Sequence, residues 1–184
     1  MKGLRKTWNH LKNTEKLITF DADKDIKSTF LRYLAKLFTE LGSTIGISCI
    51  LIILYFVSGK DILYILLPIY LFQLAIVEGI KLLFKRPRPA GGWGKNLFGL
   101  KTSSGSFPSG HTSNIFTLAF LLTNYYRTDL LVTTLIFTLA GGIAFTRIVL
   151  GRHYLVDIIG GALIGLALSV AGALLLPKLL VYVL

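Results

Sequence analysis

From Leu41 to Gly59 the chain carries no charged side chain, and four more apolar runs follow, near 62–84, 108–126, 130–149 and 154–176. A bilayer core is about 30 Å thick, so a spanning helix needs about 20 predominantly apolar residues. In lipid the backbone must satisfy its own hydrogen bonds, which leaves helices and closed barrels as the only spanning structures. The expected fold is therefore all-α, an integral membrane helical bundle with about five transmembrane helices. Gly59-Lys60-Asp61 and Arg127-Thr128-Asp129 supply tight turns between runs, and Pro177 is expected to interrupt the last one. Glycine pairs at 141–142 and 160–161, with Gly165, suit close helix contact.

Composition agrees. With 53% hydrophobic residues and a mean hydropathy of +0.67, the chain is too apolar for a soluble domain of 184 residues. Twenty Lys and Arg against nine Asp and Glu give a formal charge of +11. In a membrane protein that balance favours anionic lipid head groups. Nucleic acid is not an expected partner, because the basic residues flank apolar runs and line no soluble face. The lone cysteine, Cys49, allows no internal disulfide. No cleaved signal peptide is read at the basic N-terminus.

Before the first run, Leu4, Trp8 and Leu11 recur at helical spacing among Lys2, Arg5, Lys6 and Lys12. From Ile26 a second such pattern joins Phe30, Tyr33, Leu34, Leu37 and Leu41 on one face. Such helices lie in the interface plane. Residues 1–40 are thus expected as N-terminal interfacial amphipathic helices, and 41–184 as the transmembrane core.

Some charges lie where a membrane protein should avoid them, each costing about 2.5–3.5 kcal/mol at the bilayer centre. Lys81 and Arg88 close the second run, Ser109, Gly110 and His111 open the third, Arg147 ends the fourth, and His153 and Asp157 open the fifth. With five spans these four ends face one side. The residue types suit phosphate. Arginine's fork matches phosphate oxygens, and a helix start capped by Ser109 offers backbone N–H groups to an anion. His153 and Asp157, at i and i+4, fit a nucleophile and its orienting carboxylate, and His111 fits a general acid. Glu78 can pair with Lys81 at i+3. Lys85 and Arg86 read as membrane-edge anchors, Arg152 as a rim charge, and Tyr125, Tyr126, Tyr154 and Trp93 as interface aromatics.

Taken together, Lys81-x6-Arg88-Pro89, Pro108-Ser109-Gly110-His111 and Arg147-x5-His153-x3-Asp157 resemble the three signature motifs of the type 2 phosphatidic acid phosphatases (PAP2). Thr146 stands where that family usually has serine, and the chain has one span fewer than many members, as shorter bacterial relatives do. The resemblance implies an enzyme: a metal-independent phosphohydrolase acting on phosphoric monoesters or diphosphates of membrane lipids. His153 would attack phosphorus to form a phosphohistidine, Asp157 would orient it, and His111 would protonate the leaving group. Lys81, Arg88, Ser109, Gly110 and Arg147 would bind the phosphate. No metal and no cofactor are implied.

Expected partners are an anionic lipid substrate and the bilayer, with no obligate protein partner. Lipid A 1-phosphate and phosphatidylglycerol phosphate lead as substrates, with undecaprenyl diphosphate and phosphatidic acid also open. A lipid phosphotransferase using the same intermediate and a non-catalytic lipid-phosphate binder or transporter are the alternatives. A vanadate-dependent haloperoxidase shares the motifs but does not suit a compact five-span chain. Location is expected in a bacterial inner or plasma membrane. Nine Lys and Arg in the first forty residues, with Lys85, Arg86, Lys95 and Lys101, fall on the site's side, which positive-inside counting makes cytoplasmic. The family usually places the site on the outer face. The outer face is the expectation, because substrate binding accounts for several of these charges.

Overall fold

The computed structural model describes residues 29–89 and 105–183. Within them the chain forms six helices and no strand: α1 Thr29–Glu40, α2 Thr44–Ser58, α3 Asp61–Phe84, α4 Gly110–Tyr125, α5 Leu130–Val149 and α6 Leu155–Val183. The first expected amphipathic helix, and Trp93, Lys95 and Lys101, lie outside the described residues.

Local chemistry sets the boundaries. The Ser43 hydroxyl accepts from Gly46 N at 2.9 Å and starts α2. Gly59 ends it at φ +81°, a conformation that costs glycine nothing. Pro68 sits inside α3 without ending it, as membrane helices tolerate. Lys85 turns left-handed at φ 44° and closes α3. Asp129 caps α5, its Oδ1 accepting from Val132 N at 2.8 Å. Pro177 lies within α6, which continues to Val183. The expected interruption is absent, in keeping with neighbouring groups absorbing a proline's lost hydrogen bond in membrane helices.

Three described helices are long and apolar enough to cross a membrane alone, namely α3, α5 and α6 up to Leu176. A fourth arises if α1 and α2, which meet at 55°, count as one broken span. The third expected span is the 16-residue α4, about 24 Å long at 1.5 Å per residue. It does not need to meet lipid, because it packs against α2, α3, α5 and α6. Two of its polar side chains bond to neighbouring segments of the bundle. Ser113 Oγ accepts from Gln73 Nε2 at 2.7 Å, and Asn114 Nδ2 donates to Gly42 O at 3.1 Å. Its Leu118 joins Ile47, Leu51, Ile62, Leu66, Ile69 and Ile143 around it in the apolar core. Outside, Phe56, Leu83 and Leu130 are each at least 80% exposed, which suits a bundle solvated by acyl chains.

Close approach of α6 to α4 depends on glycine. A Cβ on Gly161 would fall 2.5 Å from Ser109 O, and one on Gly165 2.6 Å from Ser113 O. Gly141 and Gly142 are different: added Cβ atoms there meet nothing within 4 Å. The expectation that both pairs serve helix contact therefore holds for α6 and fails for α5, whose glycine pair faces away from its neighbours.

Candidate active site

The end of α3, the start of α4, the end of α5 and the start of α6 converge, and with them come all the sequence-predicted site residues. Lys81 is buried on the last turn of α3. Its ammonium lies against Gly110, where a Cβ would sit 2.9 Å from Nζ, so glycine leaves room for the cation at the mouth of α4. Glu78 accepts from Lys81 Nζ, the pairing expected from their spacing. Ser109 caps α4 and is fully buried, its hydroxyl accepting from Thr112 Oγ1 at 2.9 Å. The backbone N–H of Ser109 donates to Asp157 O at 2.9 Å, which ties α4's start to α6's.

Arg147 is buried at the end of α5. Its Nη1 donates to Thr39 Oγ1 of α1 at 2.8 Å, while its Nε is buried without a partner. Arg88 also has a buried, unpartnered Nε. Burial, followed by the charge of Arg152, lowers the pKa of Arg88 below its ordinary value, with Asp157 and Glu78 opposing. The charges of Arg147, Lys81 and Arg88 all reach His111. Cations gather here, and two of them, Arg88 and Arg147, keep buried guanidinium donors without a partner among the described residues. Unpaired buried donors are costly, and phosphate oxygens would satisfy them.

His153 follows a turn in which Gly151 adopts φ 61°, and its N–H donates to Arg147 O at 3.2 Å. The imidazole is 2% exposed. Its Nδ1 lies 2.8 Å from Ser106 O and 3.6 Å from Asp157 Oδ2. The shorter contact is a hydrogen bond and the longer is not. A carbonyl only accepts, so the proton sits on Nδ1 and the Nε2 lone pair is left free. Burial lowers the pKa of His153 from 6.5 to about 4, with Arg147 and Arg88 adding to the effect and Asp157 opposing it. The ring is therefore neutral at ordinary pH.

Asp157 is fully buried. It accepts from Arg86 Nη1 at 2.6 Å and from Tyr154 N at 2.9 Å. Sequence reasoning missed three participants here. Arg86, read as a membrane-edge anchor, is 4% exposed and lies over the Tyr154 ring at 4.2 Å. Tyr154, read as an interface aromatic, is buried. The Ser106 carbonyl is placed by Ser106 N donating to Arg86 O at 2.8 Å and Ser106 Oγ donating to Pro87 O at 3.1 Å. The burial of Arg86 follows a left-handed turn at Lys85, which closes α3. An available signal was the need of a buried Asp157 for a counter-ion.

Comparison with known proteins gives a consistent picture. A family model described as the PAP2 superfamily matches residues 62–180. The crystal structure of LpxE from Aquifex aeolicus is similar, at 30% identity over 80% of this chain and 87% of that one, with a TM-score of 0.66. A second similar structure is the first transmembrane PAP2 type phosphatidylglycerolphosphate phosphatase from Bacillus subtilis. It is 20% identical over 97% of this chain and 88% of that one, with a TM-score of 0.64. At that identity the likeness speaks for the fold alone.

Proposed function

The chain belongs to the PAP2 superfamily, and from that premise we propose that it is a membrane lipid phosphate phosphohydrolase working through a phosphohistidine. The observation that carries this reading is the meeting of a neutral, Nδ1-anchored His153 with Lys81, Arg88, Arg147 and His111.

Arg147, Arg88 and Lys81 would hold the phosphate oxygens, helped by the N–H groups at the start of α4. The arginine donors are already oriented and largely desolvated, so charge developing at phosphorus meets fixed dipoles and no reorganising water. The Nε2 lone pair of His153 attacks phosphorus, the P–O bond to the lipid breaks, and His111 gives its proton to the leaving oxygen. Water, deprotonated by His111, then attacks phosphorus. The P–N bond breaks, and inorganic phosphate leaves with His153 neutral again. The electropositive cluster takes the part that a divalent cation plays in other phosphoryl transfers, so the reaction is proposed to be metal-independent.

A strongly anionic head group suits the charge of the chain, and lipid A 1-phosphate and phosphatidylglycerol phosphate are the proposed substrates. The site is proposed to face the outer side of the membrane, with residues 1–40 along the interface. In a Cys49-free background, single cysteines at Lys60 and Lys95 test sidedness: impermeant reagent should label position 95 from outside, and labelling at 60 alone refutes it. For the reaction itself, His153→Ala should abolish phosphate release from a short-chain phosphatidic acid in detergent with chelator present. Full activity in that variant, or strict dependence of the wild type on Mg²⁺, overturns the mechanism.

A further inference from the structure

We infer that Arg86 is a positioning residue for the nucleophile, acting on His153 both through Asp157 and through the Ser106 carbonyl; the inference rests on the phosphohistidine reading. Arg86 meets the nucleophile by two routes. Its side chain donates to Asp157 Oδ1 at 2.6 Å and lies over the Tyr154 ring, with Cζ 4.2 Å from its centroid. Its backbone carbonyl accepts from Ser106 N at 2.8 Å, and Ser106 O accepts in turn from His153 Nδ1 at 2.8 Å. One residue thus ties down both the carboxylate beside the imidazole and the carbonyl that sets its tautomer.

The side chain has an electrostatic task distinct from the backbone one. A bare carboxylate 3.6 Å from Nδ1 would attract the ring's proton and favour the imidazolium, which cannot attack phosphorus. Arg86 shares the charge of Asp157, and Tyr154 N–H shares it further. The other groups acting on His153 are cationic or ionisable: Arg147 from α5, His111 from α4 and Arg88 from the segment after α3, with Arg152 adjacent in the chain. Asp157 is the one carboxylate among them and opposes the effect of burial on His153, so sharing its charge helps keep the nucleophile unprotonated. Arg86 does not compete for the phosphate role, because its guanidinium is already committed to Asp157 and Tyr154. Gly105 fits the same arrangement: a Cβ there would lie 2.9 Å from Arg86 N, so only glycine lets the Ser106 segment pair with Arg86.

The test uses Arg86→Gln and Arg86→Lys in the full chain, which leave the backbone bond to Ser106 intact. Steady-state rates on a short-chain lipid phosphate are measured across pH, with wild type and His153→Ala as controls. Arg86→Gln should lower kcat on the order of 10–100-fold, the usual effect of removing a partner that orients a working histidine, with KM near wild type. Its acid limb should move upward from near pH 4 toward 6.5, because the charge of Asp157 now acts on His153 unshared. Arg86→Lys should keep the limb and lose kcat several-fold less. A raised KM with kcat kept would make Arg86 a phosphate ligand and overturn the inference. So would unchanged kinetics, or a lower kcat with an unmoved limb in Arg86→Gln. If Arg86→Gln does not fold, Arg86→Lys decides: full kcat overturns the inference, and a reduced kcat at wild-type KM supports it. A wild type that forms no phosphohistidine defeats the underlying reading instead, before any Arg86 result is considered.

Discussion

Replacing Asp157 by alanine, alone and together with Arg86, measures how much the buried ion pair beneath the site matters to the fold. The two side chains are 0% and 3% exposed and 2.6 Å apart. Removing one partner of a buried pair leaves the other charge uncompensated, at a cost of about 3–5 kcal/mol. Asp157→Ala also gives up the bond from Tyr154 N, worth about 1 kcal/mol more. Arg86→Ala strands the carboxylate in the same way, partly relieved by that N–H. The double variant strands no charge. It should therefore be more stable than the sum of the single losses predicts, by more than about 0.5 and up to about 3 kcal/mol, the range for residues in one network. Equilibrium unfolding of purified protein in mixed micelles, followed by circular dichroism, supplies the four free energies. Additivity within about 0.5 kcal/mol would mean that the pair is not a coupled unit, and the reasoning about Arg86 would fail with it.

The pKa of His153 falls from 6.5 to about 4 on folding, so between those values the unfolded chain binds the extra proton. Its contribution to stability is whole above pH 6.5 and is lost as pH falls toward 4, about 3 kcal/mol in all. His153→Gln should remove that slope from a pH series of unfolding midpoints. Thr39→Val deletes the acceptor that holds Arg147 Nη1. It should raise KM about tenfold, the worth of a hydrogen bond to a charged group, with Thr39→Ser restoring it. Gly161→Ala drives a Cβ to 2.5 Å from Ser109 O and should cost about 1–3 kcal/mol by overpacking. Gly141→Ala, with nothing within 4 Å, should be neutral or slightly stabilising, and thermal unfolding of the pair checks both.

What the sequence made legible, and what it did not, divides along physical lines. The spans could be read because lipid forbids charge over long stretches, and the three motifs because charge appears there despite that cost. Arg86 could not be read, because it stands two residues from Arg88 in Arg86-Pro87-Arg88-Pro89 and basic residues at span ends are ordinary. Only the left-handed turn at Lys85 sends one inward against Asp157. The Ser106 carbonyl leaves no trace in residue identity, since any residue except one that cannot take that backbone path would present it. Thr39 is similar: a single hydroxyl in an amphipathic pattern has no feature that names Arg147 as its partner. Pro177 shows the converse, a strong local signal that the surrounding helix absorbs.

The central claim is a covalent bond between phosphorus and His153. Rapid quenching of the purified enzyme with a lipid labelled in its phosphate by ³²P, in the presence of chelator, tests it most directly. Acid-labile, alkali-stable label is expected on the peptide carrying His153, formed and lost at rates that match turnover, and absent in His153→Ala. Phosphate released by the wild type with no labelled protein at any time point, or label that persists in His153→Ala, would contradict it.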